Sequence, residues 1–423
     1  MTPEIKKRIE QIRRGEVPAG YQKTILGIAP TEWSKARIDE ISTLSSGSTP
    51  RRDNIDNFDG NILWVTSGEL KNRVIYDTNE KISEEAATKS NLTLYDVGDV
   101  AIAIYGLEAA GVRGTASVIG SRCTISQACM AFSDFRNLSN EYFYYWYITK
   151  GQLIGLKYAQ GTKQQNLSAD IIGAFPICYP SEPEQQKIAA ILITQDKAIE
   201  LKEKLLSEKR RQKKYLCQQL LTGKKRLPGF GGEWKKVGLK KLLKERKSYA
   251  QKGVEFPHVT LSTTGIYPKS GRYDRDHLVK SEEKEYKITH LGDICYNPAN
   301  LKFGVICVNT YGDAIFSPIY VTFEAKEAVN INFLSNFLMR WDFINAVRKY
   351  EEGTVYERMA VKPEDFLKYE VLLPPMKEQI AIAEILSTAD REIDLLQKAI
   401  AAEKQKKKAL MQLLLTGIVR VKV

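Results

Sequence analysis

IAAILITQDKAIELKEKLLSEKRRQKKYLCQQLLTG, residues 188–223, returns without a gap as IAEILSTADREIDLLQKAIAAEKQKKKALMQLLLTG at residues 382–417. Seventeen of the 36 aligned pairs are identical, including Asp196/Asp390, Lys213/Lys407 and the closing Leu-Leu-Thr-Gly, so the chain carries an internal duplication. Ile188, Leu192, Gln195, Ile199, Lys202, Leu206, Lys209, Lys213, Leu216 and Leu220 fall at alternating four- and three-residue steps in the first copy. The second copy gives Ile382, Leu386, Ala389, Ile393, Leu396, Ile400, Glu403, Lys407, Leu410 and Leu414. That is the 3.5-residue period of a coiled-coil seam, apolar at its ends and polar in the stretch around Lys209/Lys213 and Glu403/Lys407. Gly223 and Gly417 suit the left-handed residue after a helix. A helix of ~35 residues is a rod of about 50 Å. Two such rods bury their stripes most economically against each other, and a pseudo-twofold arrangement of the halves makes the pair antiparallel.

Around the rods the pattern changes. In the N-terminal segment 1–19, residues 4–14 read as a short amphipathic helix with Ile5, Ile9 and Ile12 on one face, stopped by Gly15. Residues 20–180 contain short apolar runs broken by turns. Ile62 to Val65 and Val100 to Tyr105 read as strands, Ser45 to Pro50 and Asp96 to Asp99 as turns, and Glu141 to Leu156 as a helix. The rod regions are 181–227 and 375–423, and 228–374 lies between them. That last region tracks the first in order but not in detail. Glu32-Trp33 matches Glu233-Trp234, Val65-Thr66 matches Val259-Thr260, Gly98-Asp99 matches Gly292-Asp293, and Gly161-Thr162 matches Gly353-Thr354. The expected class is α+β, with two globular domains of mixed strands and helices separated by the long helices.

The net charge of +12 is unevenly placed. Residues 183–227 hold twelve basic and five acidic side chains, whereas residues 20–180 hold 15 and 17. The stripe from Lys202 to Arg226 suits a polyanion or an acidic protein, while the near-neutral domains must use selected side chains rather than bulk charge. The six cysteines have no C-x-x-C spacing and fit reduced, mostly buried thiols. The N-terminus lacks an apolar secretory segment and no run nears membrane-spanning length, so a cytoplasmic protein is expected.

Recognisable catalytic patterns are missing. The three histidines form no i,i+4 metal pair, and neither a phosphate-binding G-x-x-x-x-G-K-[ST] loop nor G-x-G-x-x-G nor G-x-S-x-G occurs. Asn297-Pro298-Ala299-Asn300 resembles the Asn-Pro-Pro-aromatic motif of amino-group methyltransferases but lacks its second proline and its aromatic. A non-catalytic binding subunit is expected, without a metal or cofactor of its own.

The residues that close each globular region carry a resemblance. Pro180 leads to Glu184-Gln185-Gln186-Lys187-Ile188-Ala189, and Pro374-Pro375 leads to Glu378-Gln379-Ile380-Ala381-Ile382-Ala383. This resembles the P-x-x-x-E-Q-x-x-I-A-x-x-L signature of specificity subunits in type I restriction–modification systems. Gly47-Ser48-Thr49-Pro50-Arg51 followed by Ile62 to Gly68 resembles the opening of target-recognition domains in that family. The second region departs there, with Val259 to Pro268 resembling another subgroup.

The resemblance implies that each domain reads one half of a split, asymmetric site in double-stranded DNA. It implies that the helices set the gap and dock two modification subunits, which bind S-adenosylmethionine and methylate adenine N6. Motor-nuclease restriction subunits using ATP and Mg join where they exist, two per complex. A coiled-coil scaffold with protein-binding domains and an RNA-binding subunit stay open as alternatives.

Base readout needs hydrogen-bonding side chains on exposed loops. In the first domain the candidates are Ser48, Thr49, Arg51, Arg52, Thr66, Ser67, Tyr105 and Arg113, with Lys163, Gln164, Gln165 and Asn166. In the second they are Thr263, Thr264, Tyr267, Lys269, Arg272, Arg275, Asn300, Lys302, Tyr356 and Arg358. Arg51-Arg52 beside Gly47 leads the set, because a glycine permits close backbone approach and arginine pairs bidentately with guanine.

Overall fold

The computed structural model describes residues 2–25, 27–162, 164–251, 255–269, 285–352 and 360–422. It divides into two compact units, Met1–Lys202 with Ala399–Val423, and Glu203–Lys398. The repeat forms two continuous 39-residue helices, Glu182–Leu220 and Met376–Leu414. None of the described helices is long and apolar enough to cross a membrane.

In the first unit, five strands lie in the order Thr43–Ser46, Cys129–Ser133, Val100–Ala103, Ala116–Ile119, Val74–Ile75. A three-stranded sheet places Ile62–Val65 between Cys123–Ile125 and Lys81–Ile82. The apolar runs become buried strands as their composition predicts. Two boundaries differ from the sequence reading. Ser45 and Ser46 belong to a strand paired with Ala131 and Met130, and Ile104-Tyr105 has already left its strand. The helix Asn140–Tyr158 is aromatic on nearly all sides because it is buried. Tyr142, Phe143, Tyr145, Trp146 and Tyr147 all sit in the core.

The second unit repeats the central order with unlike residues: Leu243–Glu245, Val321–Ala325, Ile294–Tyr296, Ile306–Val308. All three neighbouring pairs are antiparallel, as are their counterparts in the first unit. Its core stacks Tyr296, Phe323 and Phe366. All six cysteines are free, and burial pushes the thiols of Cys123, Cys129 and Cys307 up to about 12, consistent with a packing role.

The seam holds as its period predicts. Ile188, Leu192, Ile199, Leu220, Ile382, Leu386, Ile400 and Leu414 are buried, and Leu206, Leu216, Ile393, Leu396 and Leu410 are half-buried. Within the first unit, Ile188 and Leu192 share a core with Leu414 and Leu415. Gln195 and Lys202 bind Glu403 at 2.6 and 2.7 Å, and Lys407 pairs with Asp196. Within the second, Leu220 and Leu221 share a core with Ile382 and Leu386, Lys209 binds Glu392 at 2.7 Å, and Lys213 pairs with Asp390. In each unit the numbers rise along one helix as they fall along the other, so the helices run antiparallel. The polar centre of the seam is a set of cross-helix ion pairs.

Those pairs correct the reading of the basic stripe. Lys202, Lys209, Lys213 and Arg226 are bound to acids within their own units, and Arg211 to Glu208. Acids across the seam neutralise what looked in one dimension like an unmatched run. Arg210, Lys214, Lys224 and Lys225 stay exposed.

The Glu-Gln signature has a mechanical explanation. The Gln185 carboxamide oxygen accepts the N–H of Ser139, the N-cap of the aromatic helix, at 2.7 Å, and its Nε2 donates to the Pro180 and Asn137 carbonyls. Gln379 does the same in the second unit, accepting from the N-cap Asn330 at 2.9 Å and donating to Pro374. Each glutamine therefore holds a long helix to the helix that closes its domain, satisfying backbone groups that burial would otherwise strand. The glutamates are likewise buried, and each meets an arginine. Arg420 donates to Glu184 from Nε and Nη2, both at 2.8 Å, and Arg226 donates to Glu378 at 2.6 and 2.7 Å.

Candidate nucleic-acid interface

In the first unit, backbone hydrogen bonds gather five segments at one end of the sheets. Gly47 and Ser48 donate to Cys129 and Ile125, Ser126 to Val65, Ile104 to Ala128, Leu107 to Gln165, and Leu167 to Ile104. Candidates distant in sequence, Ser48, Thr66, Tyr105 and Gln165, are thereby brought onto neighbouring strand ends and loops. Lys163 lies outside the described residues; Gln164 next to it is exposed.

The leading candidates change roles. A Cβ on Gly47 would stand 2.1 Å from the Ile125 carbonyl oxygen, so this glycine serves a close approach inside the fold. Arg52 bonds Glu80 at 2.9 Å and lies over the rings of Phe58 and Trp64, at 4.5 and 5.1 Å from their centroids. Its guanidinium is fixed as a cover for Trp64, whose indole N–H donates to the Ser48 carbonyl at 3.1 Å. The neighbouring Arg51 side chain is exposed. Ser48 and Thr49 are half-buried. Thr66 is half-buried and donates its hydroxyl to Glu69 at 2.9 Å, with Ser67 beginning the short turn that follows. Tyr105, which sits next to strand residues, is 39% exposed.

A second cluster joins the loop 104–115 to the loop 160–167. Arg113 donates to the Gln165 side chain, and the Gln165 backbone N–H donates to the Glu108 carboxylate at 2.8 Å. The Gln165 N–H, the glutamate's own N–H and the charge of Arg113 hold Glu108 below the usual carboxylate range. Arg113 Nε and Asn166 Oδ1 are buried without a hydrogen-bond partner. Such groups cost stability, and these two lie in joined loops.

In the second unit the equivalent loop is 297–305, joined to the short strand Ala360–Val361 by the Val361 N–H donating to Pro298 and the Tyr296 hydroxyl donating to the Val361 carbonyl. The Asn297 side chain accepts from Ala299 and Asn300 at 3.1 and 3.2 Å and is buried. It shapes its own loop, which accounts for the Asn-Pro-Ala-Asn stretch structurally. Asn300 and Lys302 are half-buried on this loop. Thr263 and Thr264 form the exposed turn of the hairpin Val259–Ser262/Gly265–Pro268, with Tyr267 donating back to Thr264 at 3.1 Å. Lys269 follows, its backbone N–H held by His258. Arg272, Arg275, Tyr356 and Arg358 lie outside the described residues.

Two residues in these loops escaped the sequence reading, Glu108 and Phe303. Hydrogen-bonded readout points to cations, amides and hydroxyls and leaves out an acid and an aromatic hydrocarbon. The register from Gly98-Asp99 and Gly292-Asp293 would have pointed to both loops.

Residues 30–208 and 279–404 match the family described as type I restriction modification DNA specificity domain. The MjaIX specificity subunit of Methanocaldococcus jannaschii is 28% identical over 188 residues, 44% of this chain and 42% of the relative. The EcoR124I/EcoR124II specificity subunit of Escherichia coli is 26% identical over 175 residues, 41% of this chain and 43% of the relative. The aligned part thus spans less than half of either relative. The S subunit of M. genitalium shares the fold at TM-score 0.57 and 13% identity, over 90% of this chain and 96% of that one. A chain from the structure of a type I system reported for its complex assembly gives TM-score 0.55 at 14% identity, over 92% and 99%. With the sequence match covering well over half of its residues, the chain belongs to the type I restriction modification DNA specificity domain family.

Proposed function

We propose that this chain is the non-catalytic DNA-binding specificity subunit of a type I restriction–modification complex. Each globular domain, 20–180 and 228–374, reads one half of a bipartite, asymmetric site in double-stranded DNA. The helices at 181–227 and 375–423 set the gap and dock two methyltransferase subunits. Those partners bring S-adenosylmethionine for adenine N6 methylation, and two restriction subunits, where present, bring ATP and Mg. The complex works in the cytoplasm.

One observation supports this reading above the rest. Both units carry the same central strand order, yet their corresponding loops hold unlike side chains, Glu108 and Arg113 in one and Asn300, Lys302 and Phe303 in the other. Conserved frames with divergent loops suit two readers of different sequences. The base-contacting set proposed for the first unit centres on Arg51, Thr66, Tyr105 and residues 164–166. For the second it centres on Thr263, Thr264, Tyr267, Asn300 and Lys302.

The test is co-expression of the full chain with the methyltransferase subunit of its system, followed by sequencing that maps modified adenines. Two unlike half-sites at a fixed gap are expected. Absence of any modified motif, or a contiguous palindrome, contradicts the proposal. Deleting one heptad from each helix should alter the gap and keep both half-sites.

A further inference from the structure

Phe303 is 60% exposed, as are a few other large apolar residues of the second unit, and it stands on a loop tied by several hydrogen bonds of its own. The Asn297 carboxamide oxygen accepts from Ala299 and Asn300. Asn300's carbonyl accepts from Phe303 and Val305, and Gly304, left-handed at φ 81°, donates to Leu301 at 2.8 Å. Leu301 is fully buried and anchors the turn from below. Packing is therefore done by Leu301, and the turn presents the next aromatic outward. The Lys302 ammonium lies 5.3 Å from the centre of the Phe303 ring, with Asn300 beginning the same short turn. A cation, an amide and a rigidly displayed ring thus share one loop tip. The cation suits a phosphate, the amide a base edge, and the ring a stacked or unstacked base.

The first unit lacks this device. The loop between the equivalent strands holds its exposed aromatic, Tyr105, beside the strand end, and its tip runs Glu108-Ala109-Ala110-Gly111, an acid and small residues where the second unit has Lys302 and Phe303. The contrast is at a loop between equivalent strands, Val100–Ala103 and Ala116–Ile119 in one unit, Ile294–Tyr296 and Ile306–Val308 in the other.

We infer that Phe303 is a wedge, entering the base stack of double-stranded DNA at one step of the half-site read by the second unit. This rests on the DNA-reading function proposed above and goes beyond it by assigning one half-site a distortion that the other lacks. A ring held by a stiff turn can open a base step because the turn does not yield first, and the adjacent Lys302 holds the backbone where the ring enters.

The experiment uses the full chain with its methyltransferase subunits and the duplex defined by the mapped motif. 2-Aminopurine is placed in turn at each position of the second half-site. Wild-type complex should raise fluorescence at one step other than the target adenine, which the methyltransferase unstacks itself. Phe303→Ala should abolish that rise and weaken binding about tenfold or more, the scale of one lost base–aromatic stack. Phe303→Trp and Phe303→Leu should keep the signal, because a wedge needs bulk rather than a particular edge. Thermal melting of Phe303→Ala should match wild type, since Leu301 carries the packing. Unchanged affinity and fluorescence in Phe303→Ala overturns the wedge, as does lost affinity with no fluorescence rise in wild type at any step other than the target adenine. A wild-type complex that modifies no bipartite motif overturns the DNA-reading proposal itself, a separate outcome.

Discussion

The two units bind their closing helices with the same residues and differ in how completely those residues are satisfied. Glu184 receives Arg420 and Glu378 receives Arg226, and each arginine lies over a tryptophan, Trp33 or Trp234. Trp234 donates its indole N–H to Glu378 at 3.2 Å, whereas the Trp33 indole N–H is buried without a hydrogen-bond partner. Asp196–Lys407 and Asp390–Lys213 are the same ion pair in both units, while Gln195–Glu403–Lys202 and Lys209–Glu392 are each peculiar to one. Identity in the repeat therefore marks contacts that both frames need. Differences inside the frame adjust one unit alone, and differences in the loops face outward.

Breaking the arginine–glutamate pairs should have the largest effect. Arg226→Ala leaves Glu378, 1% exposed in its side chain, without its cation, and Arg420→Ala does the same to Glu184 at 2%. Each should cost about 3 kcal/mol, the low end for orphaning one partner of a buried pair, because the arginines themselves are 30% and 38% exposed. Hydrogen exchange should show the loss at residues 331–338 for Arg226→Ala and at 140–158 for Arg420→Ala. Loss in both units from either substitution would mean that the units are not stabilised separately.

The helix-ending glycines should separate next. Gly223 and Gly417 have φ of 70° and 68°. A Cβ on Gly417 would stand 2.4 Å from Pro30, whereas on Gly223 the nearest neighbour is the Trp234 ring at 3.5 Å. Gly223→Ala should cost about 1 kcal/mol for the backbone alone. Gly417→Ala should cost about 2–3 kcal/mol because overpacking adds to it. Equal urea midpoints for the two variants would contradict the difference in packing.

The tryptophans give a smaller contrast of opposite sign. Trp234→Phe removes a hydrogen bond to a buried carboxylate and should cost about 1–2 kcal/mol beyond the lost ring area. Trp33→Phe removes an unmatched buried donor and should cost distinctly less. Denaturation of both variants checks the order.

The smallest effect is acid sensitivity. Bonds from Lys202 and Gln195 hold Glu403 down to about 2 from the ordinary 4.5. A lowered carboxylate value means stability present above 4.5 and lost as pH falls toward about 2. Glu403→Gln should therefore be less stable than wild type at neutral pH, and the difference should shrink across that window. A difference independent of pH would remove the ion pair from the account.

Much of the frame was legible in sequence because periodic burial leaves a periodic trace. The 3.5-residue seam, the Leu-Leu-Thr-Gly ends, the aromatic helix and the buried strands each follow from local pattern. What the pattern could not supply was partnership across the chain. Arg226 reads as one more cation in a basic run until Glu378, 152 residues away, is placed beside it. Arg52 reads as a free guanidinium until Glu80, Phe58 and Trp64 surround it. Loop residues have no period at all, and Phe303 is distinguished only by the turn that holds it out.

The most direct test of the account is the modification map of two loop variants. Gln165→Ala with Asn166→Ala alters the first unit's loop, and Asn300→Ala with Lys302→Ala alters the second's. Each variant is expressed as the full chain with its methyltransferase subunits. The account predicts that the first pair changes or relaxes one half-site and the second pair the other, with the gap unchanged in both maps. A variant that altered both half-sites, or maps identical to wild type from both pairs, would contradict separate reading by the two units.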